Sequence, residues 1–282
     1  MALLATLFTA SLTAAPPIRL TTDGKQKMDP VFVANGAEIV YAAQVSFSQI
    51  SLMRLDVAER TIEPFNSGAP TSELCATFSR DEKTRAFIRN NANLHVLLVI
   101  QDMESGSTVE HNPGGGFAGV RCISMAPDGS RLLYAFPETE GDQQIFSLSA
   151  DGKTKMAITK GGGVDGSPRF SPDGRWIAFA STRDGNFDIF TMTSAGEQLY
   201  RLTEHQGYDT RPAWSPDGKR LAFTSLRDGN YDIYVVDIDG TNLRRITDHP
   251  ERDDFSWWHP NGKQLVVVSE REGKQDLYLI TL

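Results

Sequence analysis

The 282-residue chain predicts an all-β fold, a six-bladed β-propeller of four-stranded antiparallel blades, closed by an N-terminal strand that completes the last blade. Three observations carry this. A segment recurs, as FSPDGRWIAFASTRDGNFDIF from Phe170, WSPDGKRLAFTSLRDGNYDIY from Trp214 and WHPNGKQLVVVSEREGKQDLY from Trp258. Weaker copies begin at Met125, Phe78 and Phe32, so the six anchors stand 46, 47, 45, 44 and 44 residues apart. The two ends of the chain complement one another. A period in the mid-forties with several short strands per copy suits a propeller blade, because one small sheet cannot bury both faces without neighbours.

Within a copy, each element has a local cause. In Ser-Pro-Asp-Gly, Pro172 or Pro216 presets φ for a type I turn and Gly174 or Gly218 follows at its exit, which closes the first hairpin. The next strand is apolar (Trp176, Ile177, Phe179; Leu221, Phe223), and Asp-Gly of Arg-Asp-Gly-Asn turns the second hairpin. FDIFTM or YDIYVV forms the third strand. LYRLT at 199–203 or LRRIT at 243–247 forms the fourth, after a turn containing Gly196 or Gly240. The last copy stops at DLYLITL, its third strand, whereas the chain opens with IRLTTDGKQKMDPVF, which matches a fourth strand and its connection. Residues Ile18 to Thr22 are therefore expected to complete the last blade and hide its edge.

Closed all-β folds run large, so residues 16–282 are read as one propeller domain. Residues 1–18 carry no charged side chain and end in small residues, so 1–15 is expected to be a signal peptide, cut near Ala14 or Ala15, or an unfolded terminus. The corresponding location is periplasmic or otherwise exported, with cytoplasmic as the alternative. No uncharged apolar run approaches the roughly 20 residues that span a bilayer. With a net charge of −8 and no Lys/Arg cluster, nucleic acid is not an expected partner.

These SPDG and RDGNxDIY repeats resemble the TolB-type propeller repeat, related to WD-like repeats, over roughly residues 18–282 and most strongly from 125 onward. In the family's namesake the propeller follows an α/β domain and binds a lipoprotein and toxin segments at its channel mouth. The resemblance thus implies a non-catalytic binding propeller, here without that amino-terminal domain, that takes a protein or peptide partner, such as an envelope lipoprotein, at its channel mouth. The same repeat occurs in peptidase propellers and in pectate-fragment lyases, so the alternative is a carbohydrate-active lyase or hydrolase using a metal and rim carboxylates.

Comparing equivalent positions yields the candidate site. Five residues before each anchor stand Lys27, Glu73, Val120, Asp165, Asp209 and Asp253, four of them acidic. Glu73, Asp165, Asp209 and Asp253 either ring the channel mouth, where they concentrate negative potential for a cation or basic peptide, or cap their own turns; the two roles are compatible. His205 and His249 share one repeat position beside Glu204 and Asp248, and are read as surface histidines or as transition-metal ligands. Tyr208, next to Asp209, is an expected aromatic contact at the mouth. No organic cofactor is expected; a divalent cation such as calcium in the channel is the candidate ion.

The spacing Arg-x4-Asp recurs as Arg183 and Asp188, Arg227 and Asp232, and Arg271 and Asp276, which predicts a structural pair across each second hairpin. Cys75 and Cys122 occupy one position on neighbouring inner strands, as a bridge or as two buried free thiols. GGGFAG at 114–119 fits Gly-x-Gly-x-x-Gly but precedes a strand, and no nucleophile elbow, Walker loop or His-Glu-x-x-His is present in the sequence.

Overall fold

A computed structural model describes residues 15–91, 95–114, 121–139 and 142–282. Six four-stranded antiparallel sheets follow one another around a ring. Blade 1 comprises Lys27–Val33, Glu38–Ser46, Gln49–Asp56 and Ile62–Pro64, from the channel outward. Blade 2 comprises Ser72–Phe78, Thr84–Asn91, His95–Asp102 and Thr108–His111, and blade 3 Arg121–Met125, Arg131–Thr139, Asp142–Ser149 and Lys155–Ala157. Blade 4 is built from Asp165–Phe170, Trp176–Ser181, Asp188–Thr193 and Tyr200–Arg201, and blade 5 from Asp209–Trp214, Arg220–Ser225, Asp232–Asp237 and Arg244–Arg245. Blade 6 takes Asp253–Trp258, Gln264–Arg271 and Lys274–Thr281, and its outermost strand is Ile18–Arg19.

Closure is as the two chain ends predict. Ile18 lies opposite Leu279 and Arg19 opposite Tyr278, and the Leu20 amide donates to the Leu277 carbonyl at 2.7 Å. Each blade buries its faces against its two neighbours, so the apolar core is six clusters between blades. The cluster holding Leu20, Ile39 and Tyr41 of one end and Val266, Leu277 and Leu279 of the other seals blade 6 to blade 1. Ridges of branched and aromatic residues on second and third strands, such as Phe179 against Phe190 and Phe223 against Tyr234, supply most of the buried volume.

The Ser-Pro-Asp-Gly turns close as anticipated. The Ser171 hydroxyl donates to Asp173 at 2.5 Å and accepts from the Trp176 amide at 3.0 Å, while Gly174 sits at φ +73°. Ser215 and Asp217 repeat the arrangement. These turns lie on one face of the ring, the turn face. The Arg-Asp-Gly-Asn hairpins and the connections between blades lie on the other, the connection face.

Asn186 and Asn230 staple each hairpin to the following connection, donating to the carbonyls of His205 at 2.7 Å and His249 at 2.8 Å. The fit is close: a Cβ on Gly207 would come 2.8 Å from the Arg227 backbone, so only glycine is accommodated there.

Candidate functional site: the central channel

All six inner strands share one irregularity that sequence reasoning missed. Three residues before each anchor the ladder slips by a bulge, and the residue there is left-handed and not glycine: Asp29, Cys75, Cys122, Ser167, Arg211 and Phe255, with φ between +49° and +58°. Repeating the bulge six times turns one side chain per blade toward its equivalents on neighbouring blades. Cys75 donates to Asp29 at 2.9 Å, Ser167 donates to Cys122 at 3.6 Å, and the Arg211 guanidinium stacks 4.3 Å from the Phe255 ring centre. These six side chains form the neck of the channel. The fixed spacing from the anchor was the available signal, although only at the cysteines does the sequence draw the eye.

The four carboxylates, expected to ring the channel mouth or to brace their own turns, are buried. Asp165, Asp209 and Asp253 are at most 1 % exposed and Glu73 is 2 % exposed. Asp165 accepts from both Ser181, at 2.5 Å, and Arg183, at 2.9 Å; Asp209 does the same with Ser225 at 2.6 Å and Arg227 at 2.8 Å. Glu73 lies 3.6 Å from Arg89 and also accepts from Asn66. Asp253 is different: neither of its oxygens has a partner of good geometry, and burial pushes its carboxyl up. In blade 1 the position holds Lys27, fully buried and bonded to Asp276 at 3.2 Å and to Asp23. Val120 lies outside the described residues, as do residues 1–14 of the expected leader segment and most of the glycine run at 114–119.

The predicted Arg-x4-Asp pairs are also redistributed. Ser181 ends its strand in register with both Asp165 and Asp188, and Arg183 folds back over Ser181 (2.9 Å) toward the inner strand rather than the third. Arg227 takes the same course, and Arg271 reaches Ser269 at 2.9 Å. The third-strand aspartates pair outward: Asp188 with Arg201 and Asp232 with Arg245, both at 2.6 Å, and Asp276 with Arg19 at 2.5 Å. Burial pushes the Asp188 and Asp232 carboxyls up despite these arginines. At Asp276 burial is outweighed by Arg19, Thr21 and Lys27, which together hold the carboxyl below its usual range.

On the connection face, His205 and His249 are half-buried, and each accepts at Nδ1 from an amide two residues on, Gly207 at 2.9 Å and Glu251 at 3.1 Å. They brace their loops. Among the described residues no group of three or more His, Cys, Asp or Glu side chains is arranged to hold a metal. Tyr208 is 48 % exposed and packs edge-on against Phe187. Beside the neck on this face lies a cavity of about 210 Å³ where Arg211 and Arg252 converge on the buried Asp254, at 3.2 and 3.0 Å, with Glu270 and Gln275 also in its wall.

The turn face opens far wider. A cavity of about 610 Å³ is walled by the anchors and their neighbours in sequence, including Phe78, Trp214, Trp257, Pro172, Pro216 and Pro260. Arg169 reaches across it, donating to the Ile123 carbonyl at 2.5 Å and stacking 5.3 Å from Trp257. A second hollow of about 580 Å³ adjoins it between blades 4 and 5, where Trp176 and Tyr200 are 37 % and 50 % exposed. The recurrence of proline two residues after the anchor, at 127, 172, 216 and 260, was the sequence signal for this mouth.

Residues 66–211, just over half of the chain, match the model of the TolB beta propeller domain, and residues 188–280 match that of the Tricorn protease N-terminal beta propeller domain. A TolB homolog of Chlorobium chlorochromatii is 37% identical over 86 residues, which make up 30% of this chain and 18% of that protein. One from Chlorobium luteolum is 49% identical over 47 residues, 17% of this chain and 11% of that protein. The chain therefore matches less than a fifth of the length of these relatives.

Among solved structures, a putative TolB from Agrobacterium tumefaciens superimposes with a TM-score of 0.72 at 20% identity, covering 93% of this chain and 92% of that one. An oligogalacturonate lyase in complex with manganese superimposes with a TM-score of 0.60 at 15% identity, covering 94% and 92%. At such identities the likeness shows the fold alone. No helix among the described residues is long and apolar enough to cross a membrane.

Proposed function

Since the chain belongs to the TolB beta propeller family, we propose that it is a non-catalytic binding module of the cell envelope that receives a protein or peptide partner at the turn-face mouth of its channel. The supporting observation is the 610 Å³ opening with its aromatic and proline walls, extended sideways by the hollow that exposes Trp176 and Tyr200. Aromatic side chains supply large contact area at little conformational cost and commonly dominate binding energy, and a polar rim of Arg80, Asp173 and Asp217 surrounds them. The connection face offers a smaller opening, and the inner-strand carboxylates Asp165, Asp209 and Glu73 are already engaged within their blades. An exported location accords with the uncharged residues 1–18 and with a TolB-like function.

The test is affinity capture from an envelope extract with three full-length baits: the unmodified chain, a Trp176→Ala/Tyr200→Ala variant, and Tyr208→Ala on the opposite face. A protein retained by the unmodified chain and by Tyr208→Ala, but lost from the double variant, is the expected outcome. Retention by the double variant with loss from Tyr208→Ala would move the site to the connection face, and no retained protein would overturn the binding reading.

A further inference from the structure

The chain contains only two cysteines, and the fold brings them together in the channel neck. Cys75 and Cys122 occupy the same left-handed bulge on adjacent inner strands, Ser72–Phe78 and Arg121–Met125, which pack side by side and are tied by the Met125 amide donating to Thr77 Oγ1 at 3.0 Å. Each thiol faces the other, and each has a different outer neighbour. Cys75 donates to the Asp29 carboxylate at 2.9 Å, which holds it as a thiol. Cys122 receives the Ser167 hydroxyl at 3.6 Å, has the Arg169 guanidinium nearby, and is only half-buried. Both are free thiols here. A hydrogen-bond donor and a cation beside one sulfur, and an anion beside the other, divide the pair into a nucleophile and a resolving thiol.

We infer that Cys75 and Cys122 are a redox-active dithiol, oxidised by hydrogen peroxide to a disulfide that links blades 2 and 3 at the channel neck. The Cys122 thiolate attacks one peroxide oxygen; the O–O bond breaks, and the departing hydroxide takes up a proton to leave as water. The resulting sulfenic acid on Cys122 is attacked by the Cys75 sulfur, so that an S–S bond forms and the S–O bond breaks. The second hydroxide leaves as water with the Cys75 proton, for which Asp29 stands ready as the carrier. One peroxide is reduced to two waters and two thiols are oxidised. The disulfide narrows the neck between the two mouths and crosslinks neighbouring blades, so the oxidised and reduced channels differ in shape where a threaded segment would pass.

The test needs no variant in its first arm. Full-length protein is treated with equimolar hydrogen peroxide and alkylated, and intact mass is read with and without reductant. The expected result is a monomer that has lost two hydrogens and takes up no alkylating agent, with both thiols restored by reductant. Cys75→Ser should stop at a Cys122 sulfenic acid that dimedone traps, whereas Cys122→Ser should give no dimedone adduct. Unmodified protein that still alkylates at both cysteines after peroxide, that oxidises to a sulfinic acid, or that crosslinks only between molecules would overturn the inference.

Discussion

Asp209 and Asp253 occupy the same repeat position, are equally buried, and should respond to the same substitution with opposite sign. Asp209 accepts from Ser225 at 2.6 Å and from Arg227 at 2.8 Å, and the Arg227 side chain is only 11% exposed. Asp209→Asn leaves that guanidinium half-buried without its counter-charge, while the amide oxygen keeps one of the hydrogen bonds. The loss should be about 2–3 kcal/mol, below the full cost of orphaning a buried charge. Asp253 has no such ion pair: Arg271 stops at Ser269, and burial outweighs the support that Ser269, Thr247 and the more distant Arg271 give the carboxylate.

Asp253→Asn removes an incompletely compensated buried charge and should stabilise the fold by about 1–2 kcal/mol at pH 7. For a chain of this size the expected midpoint shifts are about 3–5 °C downward and about 2–3 °C upward. The second has a pH signature. Because burial raises the folded-state pKa of Asp253, its contribution to stability is present when it is protonated and is lost as pH rises through that pKa. The advantage of Asp253→Asn should therefore hold at neutral pH and shrink as pH falls toward about 4, the range of an unfolded aspartate. Thermal unfolding followed by circular dichroism from pH 4 to 8 reads both effects. Equal destabilisation by the two substitutions, or a pH-independent gain at Asp253, would refute the reasoning.

Three further outcomes are expected. Asp276 is held below its usual range chiefly by Arg19, so its contribution is present above about pH 4 and lost as pH falls through its folded pKa; Arg19→Ala should flatten the acid limb of a stability–pH curve. The Thr21 hydroxyl donates to Asp276 at 2.7 Å and accepts from the Leu277 amide at 3.0 Å, so Thr21→Val should loosen ring closure by about 1–3 kcal/mol, visible as faster hydrogen exchange in Lys274–Thr281. The Trp258 indole donates to the Ala213 carbonyl at 3.0 Å between blades 5 and 6, and Trp258→Phe should cost about 1 kcal/mol in urea unfolding by removing that bond between blades.

What was legible in the sequence is what depends on neighbours along the chain. Ser171, Pro172, Asp173 and Gly174 form their turn from residues within hydrogen-bond reach of one another, and Ile18–Arg19 could be assigned to blade 6 because its text matches a fourth strand. The partner of Arg183 was not legible, because the choice between Asp165 and Asp188 is made perpendicular to the strands, by which way a side chain folds over Ser181. The left-handed residues of the neck were hidden for another reason: single-residue preferences favour glycine at positive φ, yet Asp29, Cys75, Cys122, Ser167, Arg211 and Phe255 stand there, held by a bulge that the sheet imposes.

That same ring separates the work of the repeat from the work of the site. Serine of the Ser-Pro-Asp-Gly turn, the inner aspartates and their arginines recur because each blade must solve the same packing problem. At the neck all six positions share one backbone conformation, but five residue types occupy them: an acid, two thiols, a hydroxyl, a guanidinium and an aromatic ring. Architecture fixes the backbone there without fixing the residue type, so each blade answers the same bulge with its own packing, Cys75 within one core cluster, Phe255 against another and Arg211 on Asp254. The channel is thus the part of this molecule where symmetry is spent on difference, and Ser167→Ala, which touches no core cluster and removes no counter-charge, should change what the channel admits while leaving the unfolding midpoint nearly unmoved.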